Sequence, residues 1–170
     1  MWYVVQTLTG QEEHACDLIK QKVNEDILEE CFVPRYEVER KYHGEWKTLT
    51  RNLFPGYVIV VTNRVEELDS KLRHVQTFMK LLGSEESFVP LDRAEIAWIN
   101  AFTKERHRVI GMSKGVMEGD KVIVHEGPLV GREGWIKKIS RSRGIAYLEI
   151  SMFGRTIEAK IGLAIVSKRD

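Results

Sequence analysis

The hydrophobic pattern of this chain changes near residue 117. Before that residue, stretches with helical spacing alternate with strand-like stretches, whereas only strand-like stretches follow it. The later stretches are DKVIV, GWIKKIS, IAYLEIS, RTIEAKIG and LAIVS. So many short strands in so short a segment predict a small five-stranded β-barrel. The chain is therefore expected to fold as two modules.

The first module is predicted to be an α+β domain. Its strand-like stretches are WYVVQTL, EECFVPRYEVERKY, EWKTLTRNL, GYVIVVT and TFMKLLG. Apolar residues recur at helical spacing in residues 11–23, in VEELDSKLRHV and in LDRAEIAWINAFTKE. The order β-α-β-β-β-α-β-α predicts a mostly antiparallel sheet flanked by helices.

Local signals fix some of the boundaries in this module. Thr9 and Glu12 have the spacing of a capping box before the first helix. Asp92 is placed to cap the third helix, just beyond Pro90. The pair His43-Gly44 (residues 43–44) predicts a turn between two strands.

The charge of the chain differs between its two parts. Residues 1–103 contain 12 Lys and Arg against 17 Asp and Glu, a net charge of −5. Residues 104–170 contain 14 against 8, a net charge of +6. An acidic N-terminal part and a basic C-terminal part indicate modules with different partners, and the basic part could bind nucleic acid. The alternative is that these charges are scattered at random over solvated surfaces and indicate no partner.

Several function classes lack support in the sequence. The five histidines form no HxxxH or HxH pair, and the two cysteines form no CxxC motif, so neither a metal site nor a disulfide framework is predicted. No nucleophile motif or phosphate-binding P-loop is present, and no enzymatic activity or cofactor is expected. The chain has no long apolar run and its start does not resemble a signal peptide, so we expect a cytoplasmic protein without a membrane partner.

The segment HEGPLVGREGWIKKISRSRG, residues 125–144, combines turn residues with positive charge. Such basic residues around a turn indicate either a phosphate-bearing partner or a solvated loop. Trp135 and Tyr147 near this segment are more often barrel packing than platforms for stacked bases.

Four segments resemble one known family. DKVIVHEGPLVGREGWIKKI resembles the KOW motif of the NusG and ribosomal-protein families, and SMFGRTIEAKIGLAIV resembles the closing strands of the NusG-type KOW barrel. WYVVQTLTGQEE and LFPGYVIV resemble two landmarks of the NusG N-terminal domain. All four occur in the order of the family and together span the chain.

The resemblance implies a bacterial transcription elongation factor. It implies an N-terminal domain at residues 1–105 that binds the clamp helices of RNA polymerase, a linker at 106–116 and a KOW domain at 117–170. The polymerase contacts of the family map onto Trp2, Tyr3, Phe54, Tyr57 and Val116, the last standing where the family has an aromatic residue. Gly56 is expected to allow a tight turn with Phe54 and Tyr57 on either side, although core packing would also explain these aromatics.

Within the family, the sequence is most similar to the LoaP-type specialised antitermination paralogues, because the region before LFPGYV is short. LoaP proteins are recruited by an RNA hairpin in the leader transcript, which their KOW domain binds. The resemblance implies a monomer that works with transcribing polymerase at the nucleoid. The non-template DNA strand is a further candidate partner. The residues expected to meet RNA are Arg132, Lys137, Lys138, Arg141, Arg143, Arg155 and Lys160.

Two other functions fit the same sequence. The chain could be a general NusG-like elongation factor whose KOW domain docks Rho or a ribosomal protein through apolar residues around Met152 and Phe153. It could also be an RNA-binding or ribosome-associated module that makes no polymerase contact. RNA binding would weaken as salt rises, whereas an apolar protein contact would not.

Overall fold

The computed structural model describes residues 1–83, 87–103 and 107–166. These residues form two compact units, one made of Met1–Pro34 and Phe54–Ile99 and the other of Arg35–Leu53 and the chain from Asn100 onward. The predicted domain boundary at residue 105 lies outside the described residues, and it stays a prediction.

The order of helices and strands in the described residues follows the predicted order closely. The elements are β1 (Trp2–Thr7), α1 (Glu12–Lys22), β2 (Glu30–Phe32), β3 (Arg35–Tyr42), β4 (Glu45–Asn52), β5 (Tyr57–Val61), α2 (Val65–Leu72), β6 (Met79–Leu81), α3 (Arg93–Thr103), β7 (Val109–Ile110), β8 (Ser113–Glu118), β9 (Lys121–Glu126), β10 (Ile136–Ser140), β11 (Ile145–Met152) and β12 (Arg155–Ile165). A 3₁₀ turn at Glu133–Trp135 precedes β10. None of the helices in the described residues is long and apolar enough to span a membrane.

The first unit is built on an antiparallel sheet with the strand order β2-β5-β1-β6. Alternate residues of β1 and β5 point to opposite faces. One face, which carries Tyr3 and Val5, packs against Ile19 of α1 and Leu68 of α2 in a common apolar cluster. An antiparallel sheet flanked by helices confirms the predicted α+β class.

The helix starts test two local predictions. The capping box predicted from Thr9 and Glu12 is wrong, because the N-cap residue of α1 is Gln11 and no side chain caps it. The cap predicted for α3 is confirmed: the Glu95 N–H donates to Asp92 Oδ1 at 2.8 Å, and the Asp92 N–H donates to Glu95 Oε1 at 2.9 Å. These two hydrogen bonds form a reciprocal capping box.

The second unit contains a curled five-stranded sheet with the order β10-β11-β12-β8-β9. The stretches RTIEAKIG and LAIVS, predicted as two strands, form the single strand β12. The fifth strand is instead β8, which begins at Ser113 within the segment predicted as a linker and pairs with both β12 and β9. The small five-stranded fold predicted for the end of the chain is confirmed.

The hairpin of β3 and β4 belongs to the same unit, in a three-stranded sheet with the order β4-β3-β7. His43 and Gly44 link its strands with φ values of +50° and +81°, which confirms the predicted turn. The stretch EECFVPRYEVERKY was predicted as one strand, but it divides into β2 and β3 around Pro34, whose missing N–H cannot join a strand ladder.

Candidate functional site

The turn that joins β4 to β5 has the geometry expected from its sequence. Gly56 has a φ of +89°, and the Tyr57 N–H donates to the Phe54 carbonyl at 3.1 Å. Proline followed by glycine suits a turn that needs a positive φ at its third residue. Phe54, however, is only 3% exposed and packs against Trp98 with ring centroids 6.3 Å apart. Of the two aromatic residues, only Tyr57 is partly open to solvent.

A buried carboxylate holds this turn in place. Glu12 is 1% exposed, and its Oε2 accepts a hydrogen bond from the Gly56 N–H at 2.8 Å. Its Oε1 accepts another from the Gly10 N–H at 2.6 Å. Glu12 therefore joins the first turn of α1 to the β4–β5 connection. No residue pattern in the sequence marks this contact, because its partners are backbone groups far apart in the chain.

Exposed apolar side chains gather beside the turn. The Thr7 N–H donates to the Gly56 carbonyl at 2.8 Å, and the Thr7 hydroxyl donates to the Phe78 carbonyl at 3.0 Å. These bonds bring the next residue, Leu8, and Phe78 to the end of the sheet where Tyr57 begins β5. Leu8 is 58% exposed and Phe78 is 52% exposed. We call Leu8, Tyr57 and Phe78 the apolar edge; sequence reasoning missed Leu8 and Phe78.

The remaining predicted polymerase residues lie elsewhere. Trp2 lies on the sheet face that also carries Tyr57, but at the far end of β1, where its ring meets Phe32 edge-on at 5.6 Å. Tyr3 points to the opposite face and is buried in the cluster with α1 and α2. Burial raises the pKa of the Tyr3 hydroxyl, and the charge of Glu66 raises it further. Val116 lies in the second unit, paired with Ile123.

In the second unit, two of the predicted RNA residues flank one ring. Lys138 on β10 and Lys160 on β12 both pair in register with Tyr147 on β11. Their ammonium nitrogens lie 5.4 and 6.0 Å from the centre of the Tyr147 ring. Tyr147 itself is only 7% exposed, which confirms that it packs in the fold rather than offering an open stacking platform.

Two arginines of the β3–β4 hairpin extend this positive charge. The Arg40 guanidinium donates hydrogen bonds to the carbonyl of Arg143 and to that of Glu39. Arg143 and Arg141 are exposed in the turn after β10. Burial raises the pKa of Tyr36, and the nearby charges of Arg51 and Arg40 oppose that rise. Arg40 and Arg51 were not predicted, because they belong to a hairpin distant in sequence.

Carboxylates set the limit of this basic area. Glu149 and Glu158 are paired in register, and each lies two residues from Tyr147 or Lys160 on the same sheet face. The positive charge is therefore concentrated at the end of β11 and β12 near Arg143. Arg155 lies at the other end of this strand pair, beyond the two glutamates. We call Arg40, Lys138, Arg143 and Lys160 the basic end.

The other predicted RNA residues have different surroundings. The Arg132 guanidinium donates to the Pro128 carbonyl at 2.8 Å and lies 5.2 and 5.5 Å from the rings of Phe102 and Trp135. It is therefore occupied in packing within the unit. Lys137 lies at a strand irregularity and, together with Lys138, lines a depression of about 460 Å³.

The alternative docking residues differ from each other in exposure. Met152 is 1% exposed and points into the curled sheet, whereas Phe153 is partly exposed at the β11–β12 turn with a φ of +57°. In the parts of the chain that the structure describes, no cluster of three or more His, Cys, Asp or Glu could hold a metal ion.

Comparison with known proteins identifies the family. Residues 1–100 match the family described as "Transcription termination factor nusG", and residues 118–149 match the KOW motif. The chain belongs to the NusG family. It is therefore a transcription termination/antitermination factor rather than an enzyme, as predicted.

Relatives extend the NusG similarity over nearly the whole chain. The NusG protein of Pasteurella multocida is 27% identical over 99% of this chain and 95% of its own length. That of Campylobacter jejuni is 28% identical over 98% and 96%. A solved structure titled "Domain interaction in Thermotoga maritima NusG" covers 96% of this chain and 93% of its own with a TM-score of 0.56 at 24% identity, which supports the fold.

The role of Glu12 can be tested by stability. Glu12→Ala leaves the buried Gly56 N–H without its acceptor, so we expect the free energy of unfolding to fall by roughly 1–3 kcal/mol. Urea unfolding followed by circular dichroism measures the change. Asp17→Ala, at another exposed carboxylate of α1, is the matched control and should change stability by less than about 0.5 kcal/mol. Equal effects of the two substitutions would contradict the assigned role.

Proposed function

We propose that this chain is an antitermination factor that binds RNA polymerase through its first unit and the hairpin of a nascent leader RNA through its second. NusG-family membership supports a role on transcribing polymerase. The basic end is the observation that carries the RNA half of the proposal, because Lys138 and Lys160 flank the Tyr147 ring and Arg40 bonds the backbone of the exposed Arg143. A factor of this kind works in the cytoplasm, at the nucleoid.

The apolar edge supports the contact with polymerase. Leu8 and Phe78 expose large apolar side chains next to the partly open Tyr57, and exposed apolar groups of this kind mark protein interaction surfaces. Their backbone is held by the hydrogen bonds of Thr7 and, through Gly56, by Glu12. A surface on rigid backbone loses little conformational entropy when a partner such as the clamp helices binds. Phe54 is buried and packs against Trp98, so we assign it no direct contact with polymerase.

The basic end supports recognition of a folded RNA. Hairpin RNA is bound mainly through phosphates, 2′-hydroxyls and shape, and unpaired loop bases are read individually. Lys138 and Lys160 are suited to phosphates, and the exposed Arg141 and Arg143 of the neighbouring turn can bind phosphate bidentately or stack on a loop base. Met152 is buried, so of the two apolar residues expected to dock a rival protein partner only Phe153 is partly exposed. We therefore favour the LoaP-type function over docking of Rho or a ribosomal protein.

Transcription in vitro tests the function as a whole. We expect the full chain to increase readthrough of an intrinsic terminator by bacterial RNA polymerase when the template encodes a leader hairpin that the protein binds. The same template with that hairpin disrupted is the control, and readthrough there should return to the level without protein. If readthrough rises equally on both templates, recruitment by RNA is wrong and a general elongation factor is indicated.

Substitutions in the apolar edge test the polymerase contact. We expect Leu8→Ser with Phe78→Ser to weaken binding to RNA polymerase at least tenfold, because hot-spot apolar residues each contribute about 1–2 kcal/mol or more. Binding is measured by biolayer interferometry with immobilised polymerase. Val89→Ser is the matched control, since Val89 is also 58% exposed but lies away from the turn. An unchanged affinity of the double variant would rule out this surface.

Substitutions in the basic end test the RNA contact. We expect the full chain with Lys138→Gln, Arg143→Gln and Lys160→Gln to bind the hairpin more weakly and to lose roughly two to three units of the slope of log affinity against log salt. The control changes exposed lysines of the first unit, Lys22, Lys71 and Lys80, to glutamine and so alters net charge equally. Fluorescence anisotropy at several salt concentrations measures both variants. Equal loss in both would mean that net charge rather than this surface binds RNA.

A further inference from the structure

The two cysteines of the chain meet inside the first unit. Cys16 on α1 and Cys31 on β2 place their Sγ atoms 3.5 Å apart, within hydrogen-bond distance for thiols. Each residue is 4% exposed, and neither is in a disulfide. They belong to neither the apolar edge nor the basic end. Sequence spacing could not indicate this pair, because fifteen residues separate the two positions.

The surroundings of the two thiols are unequal. Its hydrogen bond with Cys31 lowers the pKa of the Cys16 thiol, burial opposes that change, and the nearby charge of Lys20 lowers the pKa further. That hydrogen bond and burial together raise the pKa of Cys31. Since the thiolate is the reactive form of cysteine, Cys16 is suited to attack first and Cys31 to follow.

We propose that Cys16 and Cys31 form a peroxide-sensitive dithiol site that closes into an intramolecular disulfide. The Cys16 thiolate attacks one oxygen of hydrogen peroxide, and the O–O bond breaks to leave a sulfenic acid on Cys16 while the second oxygen leaves as water after protonation. Cys31 then loses its proton, and its sulfur attacks Cys16 Sγ and expels the sulfenic oxygen as a second water. Two thiols are oxidised by two electrons, and one peroxide is reduced to two waters.

The geometry favours closure within the chain over other products. A disulfide needs the Sγ atoms about 2.0 Å apart, so the pair must approach by about 1.5 Å. Cys31 lies on the short edge strand β2, which pairs with β5 only and can shift without breaking a second strand ladder. Both residues are 4% exposed, so the proposal requires hydrogen peroxide to enter when the edge strand β2 opens locally, and the same burial keeps larger thiols and other protein chains away from the sulfenic acid.

Intact-mass spectrometry of the full reduced chain tests the proposal. The protein is treated with hydrogen peroxide and unfolded in the presence of an alkylating reagent, and its intact mass is then measured. We expect a monomer that has lost two hydrogen atoms and takes no alkyl group, while untreated protein takes two. Treatment of the oxidised protein with dithiothreitol should restore both alkylation sites. Because the chain has only two cysteines, the product assignment is unambiguous.

Single variants separate the two roles. Cys31→Ser should stop at a sulfenic acid on Cys16 that dimedone traps, whereas Cys16→Ser should leave Cys31 unreacted at the same peroxide dose. The proposal is overturned if the native protein keeps both alkylation sites, forms covalent dimers, or loses alkylation sites that dithiothreitol does not restore; oxygen added to the five methionines does not affect the count of alkylation sites. The measurement on the unsubstituted chain decides the matter even if a variant fails to fold.

Discussion

The carboxylate of Glu12 is the contact on which the first unit depends most. It is buried, and a buried carboxylate is tolerated only where hydrogen bonds replace the water it has lost. Here the replacements are the N–H groups of Gly10 and Gly56, so the start of α1 and the turn before β5 are fixed to one side chain. Thr7 continues this network to Phe78. The backbone beside each residue of the apolar edge is therefore joined to this network.

The second unit is organised around β12 and the ring of Tyr147. Because β12 pairs with β11 on one side and β8 on the other, residues far apart in sequence reach a common sheet face. Lysines beside Tyr147 and glutamates two residues further along make the charge of that face uneven, with Arg155 beyond the glutamates. In the proposed function, the phosphates of the RNA would lie nearer to these lysines than to the glutamates.

The sequence predicted what depends on near neighbours in the chain. The turns at His43 and Gly56, the cap at Asp92 and most strands follow from the conformational preferences of a few adjacent residues. Prediction from the sequence failed where contacts between distant segments determine the structure. Glu12 was assigned to a helix cap, and Arg40 was not predicted as part of the site. The candidate RNA residues were chosen by their charge and their place around one predicted hairpin, so Arg132 was grouped with Lys138, although packing against Phe102 gives Arg132 different surroundings.

The late position of β12 has a consequence for synthesis on the ribosome. The strands β8, β9, β10 and β11 emerge before it, and as two separate hairpins they leave the inner edges of the future sheet unpaired. Non-local pairing of this kind is slow to form and exposes edges that can join other chains. The first unit needs no residue beyond Ile99 and can fold earlier. The nascent chain therefore passes through an interval in which one unit is complete while the other still needs protection from aggregation.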